Sequence, residues 1–121
     1  QAGEKPKSPG MAYKHYAPSC RTAFFAADDA AGAVRCYNAE KGRGGTPVLL
    51  CEHAVALAHA DCRALDLGNT PEEMASNLYA HLRTGEHMAT LLIGIEPAAR
   101  GGVMDGVRNR LLRAFGQDTR E

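Results

Sequence analysis

Two continuously apolar runs bounded by turn residues constrain the fold of this chain more than any other feature. They are "TPVLLCE", which starts at Thr46, and "ATLLIGIE", which starts at Ala89. A strand that is covered on both faces is apolar along its whole length, and such strands are typical of parallel sheets with helices on both sides. We therefore expect both runs to be strands of a parallel sheet.

Helical patterns and two weaker strand patterns surround these runs. "TAFFAA", from Thr22 to Ala27, has strand character, and Asp28 and Asp29 are candidates to cap a helix that "EKGRGG" ends. A short helix is expected over residues 53–60, and "CRALDLG" is the weakest strand pattern.

Two longer helices are expected in the second half of the chain. Thr70 can be the N-cap of the first, with Pro71 at its first position and Glu73 closing a capping box, and Gly85 is predicted to end it. The last helix presents one apolar face, made by Val103, Val107, Leu111, Ala114 and Phe115.

The alternation of strand and helix, four times with short connections, predicts an α/β fold. We expect a small Rossmann-like three-layer domain over residues 21–121, with a mainly parallel sheet of about four strands. Residues 1–20, rich in Pro, Gly, Lys and Ser, are expected to form an extended linker before it. The pattern does not fix the strand order.

Charge and targeting signals exclude several classes of function. The 121 residues contain 14 Lys and Arg and 14 Asp and Glu, so no net charge indicates nucleic acid or an anionic membrane as partner. No apolar run is long enough for a membrane span, and the first ten residues lack the pattern of a signal peptide. We therefore expect a cytoplasmic protein with no membrane partner. The four cysteines are far apart, without metal-ligand spacing, and are expected to be buried or half-buried free thiols.

The start of the chain predicts that it is a piece of a longer polypeptide. It begins at Gln1 and continues directly into linker composition, so we expect a missing N-terminal part. Removal of an initiator Met is the alternative, and the sequence leaves it open.

One loop at the predicted carboxyl edge of the sheet is a candidate ligand crevice. Gly101 and Gly102 precede a helix whose N-terminal amides could receive an anion, and Arg100 stands beside them. Thr70 and Asn109 complete the candidate crevice, in which we expect weak binding of a nucleotide. An ordinary loop before a helix is the alternative. We predict no catalytic residue, no metal site and no cofactor in this chain, because neither the His spacing nor any Ser or Cys motif supports one.

The stretch "SPGMAYKHYAP" closely resembles the interdomain linker of the two-domain threonylcarbamoyl-AMP synthases. The residues that match are Pro9, Gly10, Met11, Tyr13, Lys14, His15, Tyr16, Ala17 and Pro18. The resemblance continues in "LGNTPEEMASNLYAHLR" and in "NRLLRAF" near the end of the chain. Ala12 replaces the family's usual basic residue, and "GGVMDG" stands where the family has Gly-Leu-Gly-Leu-Ala.

The resemblance implies an accessory C-terminal domain that is inactive alone. The parent enzyme would carry a YrdC-like catalytic domain that uses threonine, bicarbonate and ATP, with Mg²⁺, to make threonylcarbamoyl-adenylate for tRNA threonylcarbamoyladenosine. The catalytic domain would be the main partner, with a nucleotide or tRNA-pathway proteins as further candidates. The alternative function is a stand-alone α/β small-molecule-binding or hydrolytic protein with its site at the strand ends.

The linker motif has two interpretations, which are compatible. It can act as a lid, because Tyr can seal a pocket while Lys and His approach phosphates. It can also be an anchor in which Tyr13 and Tyr16 hold the linker against a neighbouring domain surface. Residues 8–18 show no repeating apolar face, so we expect them not to pack on their own domain.

Overall fold

A four-stranded sheet forms the middle layer of the structure, a computed structural model that describes residues 16–116. Its strands are β1 (Arg21–Phe25), β2 (Pro47–Cys51), β3 (Ala64–Asp66) and β4 (Leu91–Ile95). Their order in the sheet is β1-β4-β2-β3, and every neighbouring pair is parallel. The predicted parallel sheet is therefore confirmed.

Four helices alternate with the strands and cover both faces of the sheet. They are α1 (Ala30–Gly42), α2 (His53–Ala58), α3 (Pro71–Met88) and α4 (Val103–Ala114). Helices α1 and α2 pack on one face, and α3 and α4 pack on the other. The arrangement has the three layers that the alternating pattern predicted, and it is that of a small Rossmann-like domain.

The side chains of the two central strands divide between two hydrophobic cores. Val48, Leu50 and Leu92 pack with α3 and α4, whereas Leu49 and Ile93 pack with α1 and α2. Alternate side chains of a strand point to opposite faces, so strands β2 and β4 need apolar residues at every position. Both strands are buried throughout, which confirms the prediction from the apolar runs.

Local capping signals fix the starts of α1 and α3. The Gly32 amide donates to Oδ1 of Asp29 at 3.0 Å. The Glu73 amide donates to Oγ1 of Thr70 at 3.1 Å, and the Glu73 carboxylate accepts from the Thr70 amide in return. Both predicted caps are confirmed.

The prediction that Gly85 ends α3 is wrong. The helix continues through Gly85 to Met88. Gly85 is buried where α3 passes closest to the sheet, and a Cβ atom at this position would lie 2.7 Å from Cδ1 of Leu92. The glycine therefore permits close packing of helix on sheet and does not act as a stop signal.

All four cysteines of the chain lie within the described residues. Cys51 and Cys62 are buried, Cys20 and Cys36 are half-buried, and all four are free thiols. Burial raises the pKa of Cys51 to about 12, so this thiol behaves as an inert core residue.

Over residues 16–116, no helix has the length and apolar character needed to cross a membrane.

Candidate functional site

The last residues of the linker are attached to α3. The ring of Tyr16 lies edge-on to the ring of Tyr79, with 5.0 Å between centroids and an interplanar angle of 77°. The Tyr16 hydroxyl hydrogen bonds to the Glu86 carboxylate, and the Ser19 amide donates to Oε1 of Glu86 at 2.9 Å. The Arg83 guanidinium lies over the ring of Tyr79, 6.0 Å from its centroid. We call these contacts of Tyr16 and Ser19 with α3 the linker anchor.

The electrostatics of the linker anchor favour a neutral tyrosine and a charged glutamate. Burial raises the pKa of Tyr16 well above its ordinary value, and the hydrogen bond to Glu86 raises it further. The same hydrogen bond lowers the pKa of Glu86, with help from the Ser19 amide. For Tyr16, the expectation that the motif does not pack on its own domain is therefore wrong. An edge-to-face ring pair and the hydrogen bond of its hydroxyl hold it, and neither gives a repeating apolar pattern.

A second group of contacts fixes the point where the linker becomes β1. Nη2 of Arg21 lies 2.6 Å from Oε2 of Glu40, a buried carboxylate near the end of α1. Arg43 and Thr90 donate to the same carboxylate at 2.8 and 2.7 Å. These bonds join the first residue of β1 to α1 and to the residue before β4. The chain is therefore held on both sides of Cys20, by Glu86 and by Glu40.

Arg108 organises the loop that follows β4. Its guanidinium is buried and donates from Nε to Oε2 of Glu96 at 2.7 Å and from Nη1 to Oδ1 of Asp105 at 3.1 Å. Nη2 donates to the carbonyl oxygens of Pro97, at 2.9 Å, and Ala99. Two carbonyl groups of this loop are therefore satisfied by this one side chain.

The predicted crevice residues lie at the carboxyl edge of the sheet, but in two separate loops. Thr70 begins α3, whereas Arg100, Gly101 and Gly102 precede α4. Strand β2 lies between the strands that lead into these loops. The Gly101 amide already donates to Oδ1 of Asp105 at 2.9 Å. Asn109 is exposed on α4, one turn beyond Asp105.

A His–Asp pair at the carboxyl edge was not predicted. Nδ1 of His53, at the start of α2, donates to Oδ2 of Asp66 at 2.7 Å, and the Gly68 amide donates to Oδ1 of Asp66. His81 of α3 donates to the Asp66 carbonyl at 3.0 Å. The pair joins β3 to one helix on each face. No spacing rule could have found it, because the three residues come from different elements.

A cavity of about 450 Å³ opens at the opposite, amino edge of the sheet. Its walls are the last turns of α1 and the segments that enter β2 and β3. The residues that line it include Tyr37, Lys41, Gly45, Asp61, Cys62 and Arg63. We call this space the amino-edge cavity.

The sequence of the chain matches one protein family over nearly its whole length. Residues 1–116 match the family described as threonylcarbamoyl-AMP synthase, C-terminal domain. The chain belongs to this family. The match includes the linker motif as well as the folded domain, so the resemblance carried by residues 9–18 is confirmed.

A solved structure supports the same assignment for the fold of this threonylcarbamoyl-AMP synthase C-terminal domain. The crystal structure of Sua5 from P. abyssi, described as complexed with L-threonine, is 25% identical to it, with a TM-score of 0.69. The alignment covers 97% of this chain and 34% of that chain, so this domain spans about a third of the solved protein. No match was found among curated proteins.

Two departures from the family pattern have structural consequences in this C-terminal domain. Met104, in the segment that replaces Gly-Leu-Gly-Leu-Ala, is buried in the core between α3 and α4. The Asp105 carboxylate accepts hydrogen bonds from the Gly101 amide and from the Arg108 guanidinium. A carboxylate of the chain itself thus takes one of the amide groups predicted to receive an anion. Of the linker motif, Pro9, Gly10, Met11, Tyr13, Lys14 and His15 lie outside the described residues.

Proposed function

We propose that this domain serves a threonylcarbamoyl-AMP synthase by holding the interdomain linker in place for the catalytic domain. Family membership assigns the domain to such an enzyme, and the linker anchor is the observation that carries the specific role. Tyr16 is the last aromatic residue of the motif, and it is fixed to α3 through Tyr79 and Glu86. The proposed task is to fix the position at which residues 9–15 end.

The chemistry of the parent enzyme explains why the linker position would matter. In the proposed reaction, the amino group of threonine and bicarbonate form a carbamate and release water. A carbamate oxygen then attacks the α-phosphate of ATP, and pyrophosphate leaves. Carbamates and mixed anhydrides react with water, so a lid that closes over them protects the product. Tyr13, Lys14 and His15 are the residues that we expect to act as this lid.

ATP and Mg²⁺ are assigned in this proposal to the YrdC-like catalytic domain. Within residues 16–116, no three His, Cys, Asp or Glu side chains come together in a way that could hold a metal ion. We therefore derive no step of the reaction through a metal in this domain. Its own residues bind and orient the linker.

Three finer expectations remain proposals. Weak nucleotide binding near Thr70, Arg100, Gly101, Gly102 and Asn109 is one of them. Contacts with tRNA-pathway proteins and a cytoplasmic location are the others. The stand-alone binding or hydrolytic protein is less well supported, because the polar groups of its expected site bond each other in Arg108–Glu96 and His53–Asp66.

The linker anchor can be tested in the longer enzyme that contains this domain. Tyr79→Ala removes the ring against which Tyr16 packs, and Glu86→Gln removes the charge that accepts from the hydroxyl. We expect each change to lower threonine-dependent pyrophosphate release by about tenfold, the usual loss for one charge-assisted hydrogen bond or one aromatic contact of this kind.

A matched control separates positioning from general destabilisation. Glu72→Gln makes the same substitution on α3, at an exposed position in its first turn, and should leave the rate unchanged. Pyrophosphate release that stays at the unaltered level in both Tyr79→Ala and Glu86→Gln would contradict the proposal.

A further inference from the structure

The amino-edge cavity carries unpaired positive charge. Lys41, Asp61 and Arg63 line it and are exposed. Within residues 16–116, neither the Lys41 nor the Arg63 side chain forms an ion pair or a hydrogen bond. Two cationic side chains and one anionic side chain leave a local excess of one positive charge.

The floor of the amino-edge cavity is less polar than its rim. Tyr37 and Cys62 are both buried and both contribute to the lining. The Tyr37 hydroxyl accepts from the Arg63 amide at 2.8 Å, which leaves its own proton free to be donated. Pockets that combine an apolar floor with a few polar groups are typical of small-molecule sites, and 450 Å³ is within their usual range.

The two cations of the amino-edge cavity differ from Arg108 at the carboxyl edge in how far their donor groups are already satisfied. At the carboxyl edge, the Arg108 guanidinium has four acceptors, and the Glu52 carboxylate accepts from the Ala98 amide at 3.0 Å. At the amino edge, Lys41 and Arg63 retain their full donor capacity. A ligand gains more from donors that have no partner than from donors that must first release one.

We propose that the amino-edge cavity binds a small organic anion, a phosphate or carboxylate carried on a flat ring. Lys41 and Arg63 would hold the anionic group, and the ring would lie against the floor formed by Tyr37 and Cys62. Guanidinium and ammonium groups are the side chains that favour phosphate and carboxylate oxygens. The site goes beyond the linker anchor and needs no synthase activity, so its test is independent of that proposal.

The test is an amide NMR titration of the chain with adenosine 5′-monophosphate, inorganic phosphate and adenosine. We expect the amides of Gly45, Cys62 and Arg63 to shift together and to saturate at millimolar nucleotide. Phosphate alone should bind more weakly at the same residues, and adenosine should cause no saturable shift because it lacks the anion.

Charge variants locate the site. Lys41→Gln and Arg63→Gln should each weaken binding by about tenfold, the usual loss for one charge-assisted hydrogen bond. Arg35→Gln removes the same charge from an exposed position of α1 outside the cavity and should have no effect. Asp61→Asn should strengthen binding, because it removes the one negative side chain at the rim.

Three results would overturn the proposal. One is the absence of a saturable shift with both the nucleotide and inorganic phosphate. The second is binding of adenosine as strong as that of its monophosphate. The third is a set of nucleotide shifts confined to Thr70, Gly101 and Gly102, which would place binding at the carboxyl edge instead.

Discussion

Glu40 is a buried carboxylate that accepts hydrogen bonds from three different parts of the chain. Arg21 comes from the start of β1, Arg43 from the end of α1 and Thr90 from the residue before β4. These donors lower the pKa of Glu40 from 4.5 to about 2, the Arg21 hydrogen bond having the largest effect and Thr90 the next. The charged form of Glu40 is therefore part of the folded state.

The lowered pKa of Glu40 predicts how stability depends on pH. The folded state binds this proton more weakly than the unfolded state, so protonation favours unfolding. The stabilisation should be complete above pH 4.5 and lost as the pH falls toward 2. Urea unfolding across this window should show a falling free energy of unfolding, and Glu40→Gln should flatten that fall. Equal pH dependence in Glu40→Gln and the unaltered chain would contradict this, and Glu72→Gln is the control that should keep the full dependence.

Residues were predictable where their partners are close in sequence. Asp29 and Thr70 were identified as caps because each bonds an amide three positions away. Glu40 and Arg108 were not identified, although both are buried and charged. Thr90, a partner of Glu40, is 50 residues away, and no local pattern records such a contact. The Tyr16 contact with Tyr79 was missed for the same reason.

Among the elements, α3 contains a glycine, Gly85, that lies near the end of the helical pattern but does not end the helix. A glycine near the end of a helical pattern commonly marks a C-terminal cap, but Gly85 is inside α3 and faces the sheet. Its lack of a side chain allows α3 to approach Leu92, which is fully buried in β4. The helix ends three residues later.

Two glycine-to-alanine changes should have effects of opposite sign. Gly85→Ala should lower the free energy of unfolding by about 1–3 kcal/mol, because the new Cβ overpacks against Leu92. Gly106→Ala in α4 should raise it by about 0.5–1 kcal/mol, because the new Cβ would have no atom within 4 Å apart from its chain neighbours and the backbone of its own helix, and alanine favours the helix. Urea unfolding of both variants measures the difference. A higher free energy of unfolding in Gly85→Ala would contradict this, because it would show that a Cβ fits between α3 and Leu92.

The existence of the strands was predictable, but their order was not. Strands β2 and β4 are apolar throughout because both faces are covered, and this is visible in the sequence. The insertion of β4 between β1 and β2 depends on which connection passes over which strand. The packing of the helices on the two faces of the sheet determines the order of the strands. Helix α3 connects β3 to β4 and so places β4 on the far side of β2. A pattern along one strand holds no information about it.

In the whole molecule, the end of the linker and the start of β1 contact two helices, α3 and α1. Ser19 and Tyr16 are held by α3 through Glu86, and Arg21 is held by α1 through Glu40. The end of the linker and the first residue of β1 are thus joined to helices on opposite faces of the sheet. This arrangement is suited to a domain whose proposed task is to fix the end of a linker relative to a rigid sheet.

The role proposed for this domain is to act on the synthase reaction through the linker residues. The most direct measurement is threonine-dependent pyrophosphate release by four forms of the longer enzyme: unaltered, Glu86→Gln, His15→Ala and the double variant. If Glu86 acts by positioning His15 and its neighbours, its loss should cost about tenfold alone and little in the His15→Ala background. Independent losses that multiply in the double variant, or full activity in both single variants, would contradict the claim.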